Sequence, residues 1–239
     1  MVWIKTSVDV NANKTAKQRS QLHQVIEQIF EIVGEISGKK LSLIKATGEH
    51  DPAIRIEGEN EDGLPLHLIS QGYNNVIGWV GFFMKRLWES TPDDKKHDFK
   101  NSFATCLIDE IDTYLHPKWQ RTVLATLAKH FPNTQFIVTT HSPLVASSVP
   151  NMLVYQVFLN GEIRREEHIE GLDANSVLAN SFDVPLYTKE YSDKLDNFYE
   201  FVRLNDIENA QTILTELEGK WGSENKEIQR MTMFLDDIL

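Results

Sequence analysis

The fold of this chain is decided by residues 106–117, which read Cys-Leu-Ile-Asp-Glu-Ile-Asp-Thr-Tyr-Leu-His-Pro. The apolar run that ends here predicts a buried strand over Phe103–Ile108, and the carboxylates of Asp109 and Glu110 follow it directly. In α/β folds, ligands bind outside the carboxyl ends of the strands. The pattern therefore predicts two adjacent acids at the ligand-binding edge of a sheet.

A second strand pattern follows in residues 135–145, Gln-Phe-Ile-Val-Thr-Thr-His-Ser-Pro-Leu-Val. It predicts a strand over Phe136–Thr139 that ends in Thr140 and His141. The interval between the two strands has room for one helix, predicted over residues 117–131, with Pro117 in its first turn. We expect parallel neighbouring strands joined by a right-handed crossover, with Asp109 and His141 at the same end of the sheet.

The run Asp109-Glu110-Ile111-Asp112 resembles the Walker B motif of ABC-type ATPases of the SMC/RecF-like branch, and His141 resembles that family's switch histidine. The resemblance implies the second lobe of a P-loop NTPase, an α/β fold with parallel central strands, and ATP and Mg²⁺ as cofactors. It also implies that Asp109 holds the magnesium ion and Glu110 orients the attacking water. His141 would contact the γ-phosphate, whereas Asp112 belongs to the same run with a less certain role.

The segment over residues 68–73, Leu-Ile-Ser-Gln-Gly-Tyr, resembles the ABC signature loop. The resemblance implies that Ser70, Gln71 and Gly72 contact the γ-phosphate of ATP held by an opposite subunit. A serine hydroxyl and free N–H groups at a helix N-terminus do form an anion site. Taken alone, Ser70 is better explained as a simple helix N-cap. The position upstream of the Walker B strand favours the signature.

By resemblance, His116 is a nucleotide-binding residue of the D-loop, at a place where the family usually has aspartate. The pair His116-Pro117 is similar to RecF- and OLD-like ATPases of bacterial defence systems and argues against a transporter subunit. The sequence leaves open what His116 contacts across a dimer.

A Walker A motif, Gly-x-x-x-x-Gly-Lys-Ser/Thr, is absent from the sequence. The nearest match, over residues 34–40, has three intervening residues instead of four and ends a predicted helix. Two interpretations remain. The chain is the C-terminal part of a longer or split ATPase that a Walker A-bearing lobe completes, or it is a degenerate, non-catalytic homologue that serves as an interaction module. The intact Asp109, Glu110 and His141 favour the first.

Three segments are predicted along the chain: an N-terminal helix and strands over 1–63, the ATPase core over 64–170, and a helical extension over 171–239. The extension and core resemble Septu-type (PtuA) defence ATPases and AAA_21-like proteins. Within these segments, the spacing of apolar and turn residues predicts helices over 17–36 and 74–88, strands over 41–45 and 53–57 with a loop over 48–52 between them, an acidic loop over 58–63, and a hairpin over 153–166.

Composition limits the function. The net charge of −11 argues against a broad nucleic-acid-binding face, so DNA contacts are expected mainly through other parts of an assembly. One cysteine and no apolar stretch long enough for a membrane span are typical of a cytoplasmic protein. By resemblance, the expected partners are a second copy in a homodimer, a Walker A-bearing lobe and a nuclease, in DNA processing, repair or phage defence.

Overall fold

The computed structural model describes residues 16–44, 53–182 and 184–237. The chain divides between Val177 and Leu178 into two compact units. Residues 1–15, Lys45 and the loop predicted over 48–52 lie outside the described residues. No described helix is long and apolar enough to cross a membrane.

The first unit begins with helix α1 and a small antiparallel sheet. Helix α1 spans Ala16–Ser37, and strands β1, β2 and β3 pair in that order. The sheet is followed by helix α2, Gln71–Ser90, which packs against α1 mainly through apolar side chains. The strand bounds are Leu41–Ile44 for β1, Ala53–Ile56 for β2 and Asn60–Pro65 for β3.

Strand β3 corrects the acidic loop predicted over 58–63, because its residues pair antiparallel with β2. Gly58 adopts a φ of 74°, which permits the reversal between the two strands. The side chain of Asn60 then accepts a hydrogen bond of 2.7 Å from the Ile56 N–H, where the register shifts. Polar residues are compatible with this strand because it lies at the edge of the sheet, where one side faces solvent.

The central pair of strands is parallel, as predicted. Strand β4, Ala104–Ile108, pairs with β5, Thr134–Val138, in a register that places Cys106 beside Phe136. Short helical segments flank this strand pair in the sequence. Two 3₁₀ turns over Asp93–Asn101 precede β4, and helix α5, Pro143–Ala146, follows β5.

The single helix predicted over 117–131 is wrong, because the chain forms α3, Pro117–Gln120, and α4, Val123–His130. The break coincides with Thr122, which has a φ of −109°. Its hydroxyl donates a hydrogen bond of 2.8 Å to the Ile36 carbonyl at the end of α1. A tertiary bond to a residue 86 positions away therefore takes part in fixing the local conformation.

The buried strand predicted over Phe103–Ile108 is partly wrong, because the side chains of β4 alternate between half-buried and exposed, as do those of β5. One face of the pair contacts the core through half-buried side chains that include Ala104, Ile108 and Phe136. The opposite face is open: Phe103 is 90% exposed, Leu107 75% and Ile137 50%. Parallel sheets are normally covered on both faces, so this apolar face is more exposed than is usual for a parallel strand pair.

The core of the first unit includes Phe131, which is fully buried. Its ring meets Phe83 edge-on with centroids 5.0 Å apart, and Phe136 lies 6.3 Å away. The hairpin predicted over 153–166 is confirmed as β6, Val154–Val157, and β7, Ile163–Glu166.

The remainder is helical, as predicted. Asp173 caps helix α6, Ala174–Ser181, by accepting from the N–H groups of Asn175 and Ser176. Within the described residues, the second unit contains the end of α6 and three further helices, whose core fully buries Phe198, Leu217 and Met231. These helices are α7 (Lys189–Arg203), α8 (Ile207–Trp221) and α9 (Lys226–Asp236).

Candidate active site

The carboxyl ends of β4 and β5 meet at Thr139, which joins the two adjacent acids. The hydroxyl of Thr139 donates to Oδ1 of Asp109 and accepts a 2.8 Å hydrogen bond from the Glu110 N–H. The backbone of Thr139 bonds on both sides, from its N–H to the Ile108 carbonyl at 3.0 Å and from its carbonyl to the Ile111 N–H at 3.1 Å. These bonds extend the parallel pairing beyond the strands and hold both acids at one edge of the sheet.

Glu110 has a left-handed backbone with a φ of 48°, which is costly for a residue with a side chain. The chain turns sharply here, and the turn is closed by a 3.0 Å hydrogen bond from the Thr113 N–H to the Glu110 carbonyl. The Thr113 hydroxyl also donates to Oε2 of Glu110 at 3.1 Å. Unusual backbone conformations of this kind are found preferentially at functional sites.

Asp112 links the Walker B-like run to His141. Its Oδ1 accepts from the Thr140 hydroxyl and from the His141 N–H at 3.2 Å. The His141 side chain is exposed, so its imidazole is available to a ligand at this edge. Asp112, whose role the sequence left uncertain, therefore fixes the backbone from which His141 projects.

His116 occupies the N-cap of α3, where its Nδ1 accepts a 3.2 Å hydrogen bond from the Lys118 N–H. The nearby loop is tied to the segment after β5 through Gln120. The amide of Gln120 donates to the Leu115 carbonyl at 3.0 Å and accepts from the Ser142 hydroxyl at 2.7 Å. His116 is exposed, and its capping bond uses one ring nitrogen only.

Ser70 lies at the N-cap position of α2 but makes no side-chain capping bond. Ser70 and Gln71 are exposed, whereas Gly72 is buried. A side chain at Gly72 would lie 2.9 Å from the Tyr114 carbonyl oxygen and 3.0 Å from Trp119 Cζ3. Residues 70–72 thus combine an accessible hydroxyl with a close backbone approach to the 109–116 loop.

The acids are suited to a hydrated magnesium ion that also binds a ligand's phosphates. Mg²⁺ typically takes one or two carboxylates together with phosphate oxygens and water, and Asp109 presents an exposed carboxylate of that kind. Within the described residues, no group of three or more His, Cys, Asp or Glu side chains is placed to hold a metal by itself. When bound, the ion would neutralise phosphate charge beside Asp109.

Burial affects two ionisable groups near this edge. It raises the pKa of the Cys106 thiol, which agrees with a small core residue, and it raises the pKa of the Tyr73 hydroxyl beside Gly72. The Tyr73 ring packs against Trp119 with centroids 4.6 Å apart. Both groups therefore stay uncharged at neutral pH and serve packing.

The structure adds residues that the sequence did not identify as part of the site. The signal for Thr139 and Thr140 was present, since two hydroxyl residues follow an apolar strand directly. Thr113 and Gln120 had no such signal, because their contacts depend on how the 109–116 loop folds.

Comparisons with known proteins identify several relatives of this chain. The chain is 29% identical to "Retron Ec83 probable ATPase" of Escherichia coli over 163 residues, which cover 68% of this chain and 28% of that protein. It is 41% identical to "Retron Vc95 probable ATPase" of Vibrio cholerae serotype O1 biovar El Tor over 91 residues, 38% of this chain and 17% of that protein. It is 35% identical to "Septu protein PtuA" of Bacillus mycoides (strain KBAB4) over 82 residues, 33% of this chain and 10% of that protein. The alignments thus span less than a third of each relative.

A solved structure from work on ATP-driven dimerisation of SMC ATPases is similar with a TM-score of 0.46 and 15% identity, over 69% of this chain and 95% of that one. The family model described as "AAA domain, putative AbiEii toxin, Type IV TA system" matches residues 14–147. That match covers more than half of the 239 residues and includes the Walker B-like run and His141. The chain therefore belongs to the AAA_21 family of AAA domains, as its resemblance to this class of ATPase predicted, and has that family's α/β fold.

Proposed function

We propose that this chain supplies the Walker B half of an ATP-hydrolysing site, which a Walker A-bearing lobe completes. The observation that carries the proposal is the hydrogen-bonded cluster around Thr139. It places the carboxylates of Asp109 and Glu110 at the carboxyl edge of a parallel strand pair. That edge is where α/β folds bind phosphate ligands.

Each residue then has a distinct task. Asp109 binds the Mg²⁺ ion that accompanies ATP, and Glu110 orients and deprotonates the attacking water as the catalytic base. A positioned general base contributes typically about 10²–10⁴-fold to a rate. The exposed imidazole of His141 donates a hydrogen bond to the γ-phosphate and stabilises the charge that its equatorial oxygens carry in the transition state.

Two features of the chain support a completing lobe: the missing phosphate-binding groups and the exposed apolar face of β4 and β5. Nothing in the sequence has the Walker A pattern that surrounds the β- and γ-phosphates with N–H groups and a lysine. The open face of β4 and β5 exposes apolar side chains, including Phe103 and Leu107, that a covered parallel sheet would bury. The matching relatives are also several times longer than the aligned segments.

The signature-like residues act on a second nucleotide. Ser70 and Gln71 are exposed at the start of α2, so they can reach an ATP held by a second copy of the chain. ATP would then be bound between two copies at a two-fold interface, which hydrolysis opens. His116 is exposed at the end of the 109–116 loop and would lie at that interface.

The output of the cycle is control of an associated nuclease in the cytoplasm, in DNA repair or phage defence. Support comes from the resemblance to defence ATPases, including the similarity to "Septu protein PtuA" and to two retron ATPases. The net charge of −11 means that DNA would be contacted mainly by other parts of the assembly.

The test is ATP hydrolysis by the chain combined with its Walker A-bearing lobe. The combination should hydrolyse ATP, and Glu110→Gln should reduce kcat at least about 100-fold while retaining ATP binding. Glu167→Gln, which neutralises an exposed acid on the loop after β7, is the matched control and should leave kcat unchanged.

The chain alone should bind ATP weakly and show no steady-state turnover. Turnover by the chain alone that Glu110→Gln abolishes would contradict the requirement for a second lobe. Stable assembly with the lobe, with no ATP dependence and no hydrolysis, would instead favour the non-catalytic interaction module.

A further inference from the structure

We propose that Thr113 and Asn75 are positioning residues, which hold the Glu110 carboxylate in place and link it to the signature helix α2. The inference rests on the proposed function, because it concerns the same glutamate. It adds two residues that no motif resemblance assigns, and it defines a physical connection between residues 70–72 and the catalytic base of the same chain.

The first contact is between Thr113 and Glu110. The Thr113 hydroxyl donates to Oε2 of Glu110 at 3.1 Å, and the Thr113 N–H donates to the Glu110 carbonyl at 3.0 Å. One residue therefore fixes both the left-handed turn at Glu110 and the direction of its side chain. A glutamate side chain is otherwise free to sample several rotamers, and the Glu110 side chain is exposed.

The second contact is between Asn75 and Thr113. The Asn75 amide, on the second turn of α2, donates to the Thr113 carbonyl at 2.9 Å, across 38 positions of sequence. This bond is partly buried, which shields it from competition with water. It is the side-chain hydrogen bond that joins α2 to the 109–116 loop in the described residues.

Close packing beside these contacts prevents the loop from shifting relative to the helix. Gly72 lies directly against the Tyr114 carbonyl, and Tyr73 packs on Trp119. A movement of the N-terminal turns of α2 is therefore transmitted to Thr113 and from there to the Glu110 carboxylate. Engagement of residues 70–72 with a nucleotide would in this way adjust the base that acts on the chain's own nucleotide.

The activity test uses the chain combined with its Walker A-bearing lobe. Thr113→Val keeps the side-chain shape and removes the donor, and we expect kcat to fall about tenfold, since small misplacements of a reacting group are costly. KM for ATP should not change, because Thr113 contacts the base and not the nucleotide. Thr113→Ser retains the hydroxyl and should restore most of kcat.

Asn75→Asp is nearly isosteric but cannot donate to the Thr113 carbonyl, so it should also lower kcat at constant KM. The variant that carries both Asn75→Asp and Thr113→Val should be no slower than Thr113→Val alone, because Asn75 acts through Thr113. Unchanged kcat in Thr113→Val would overturn the proposal. Losses that multiply in the double variant would refute the link through Asn75.

A second measurement separates this inference from the proposed function. In the chain alone, Asn75→Asp should speed hydrogen exchange of the Thr113 and Leu115 amides several-fold, since both are bonded only within the loop's own turns. The Phe131 amide, bonded to Leu127 in the core, should be unaffected. If the wild-type assembly does not hydrolyse ATP, the proposed function fails. Unchanged hydrogen exchange of the Thr113 amide in Asn75→Asp would refute the link between Asn75 and Thr113, whether or not the assembly hydrolyses ATP.

Discussion

Gly72 and Gly78 lie on the same helix, and their replacement by alanine should have opposite effects on stability. Alanine is favoured over glycine inside a helix by about 1 kcal/mol. A Cβ at Gly78 meets no atom within 4 Å, so Gly78→Ala should increase the free energy of unfolding by up to about 1 kcal/mol.

A Cβ at Gly72 would lie 2.9 Å from the Tyr114 carbonyl oxygen and 3.0 Å from Trp119 Cζ3. The first contact is with backbone and cannot be relieved by rotating a side chain. Overpacking of this kind costs about 1–3 kcal/mol, and the gain in helix propensity is smaller in the first turn than in the interior. Gly72→Ala should therefore lower the free energy of unfolding by about 0–2 kcal/mol.

The two variants should differ by up to about 3 kcal/mol, a difference that can be measured by urea unfolding followed by circular dichroism. The slope of the unfolding free energy against urea should be the same in both, because neither replacement changes the surface exposed on unfolding. If Gly72→Ala raised the urea midpoint as much as Gly78→Ala does, the close approach of α2 to the 109–116 loop would be refuted.

Three further perturbations test other parts of the structure. Phe131→Ala should lower the free energy of unfolding by about 3–5 kcal/mol in urea, because the ring is fully buried against Phe83; a loss below 1 kcal/mol would contradict that packing. Thr139→Val should lower the same free energy by about 1 kcal/mol, because the bonds to Asp109 and to the Glu110 N–H are lost, whereas Thr139→Ser should retain them; equal losses in both variants would count against a role for the hydroxyl. The ammonium groups of two lysines lower the pKa of Glu216 to about 2. The charged form of Glu216 therefore stabilises the fold fully at pH values above the ordinary glutamate pKa of about 4.3. This contribution to stability is lost as the pH falls from about 4.3 to about 2. The melting temperature of Glu216→Gln should accordingly fall less than that of the wild type over this acid range, and identical pH profiles would exclude the interaction.

The sequence was sufficient for the order of the elements in the central part of the chain. The apolar runs before Asp109 and before Thr140 predicted two strands, and the structure confirms them as a parallel pair. Periodic apolar residues also predicted α1, α2 and the helices beyond Gly171. Such patterns are local, so they can be read without knowing what the chain packs against.

Elements whose conformation depends on distant partners were predicted less well. The helix after Pro117 is interrupted where Thr122 bonds the carbonyl of Ile36, and β3 forms because β2 offers it an edge. The open face of β4 and β5 was invisible in the sequence, since an all-apolar strand has the same pattern whether its second face is covered by this chain or by another.

For the candidate site, the sequence by itself determined the chemical groups: two adjacent carboxylates after one strand, a histidine after the next, and a serine before a helix. The roles assigned to Asp109, Glu110, His116, His141 and residues 70–72 remain predictions. Only the tertiary structure decided which groups bond to each other, because Thr139, Thr113 and Asn75 reach their partners across 30, 3 and 38 positions of sequence. A hydrogen bond depends on distance and angle. Spacing along the chain fixes these within a helix or strand, but in a loop such as 109–116 they are set by the elements packed around it.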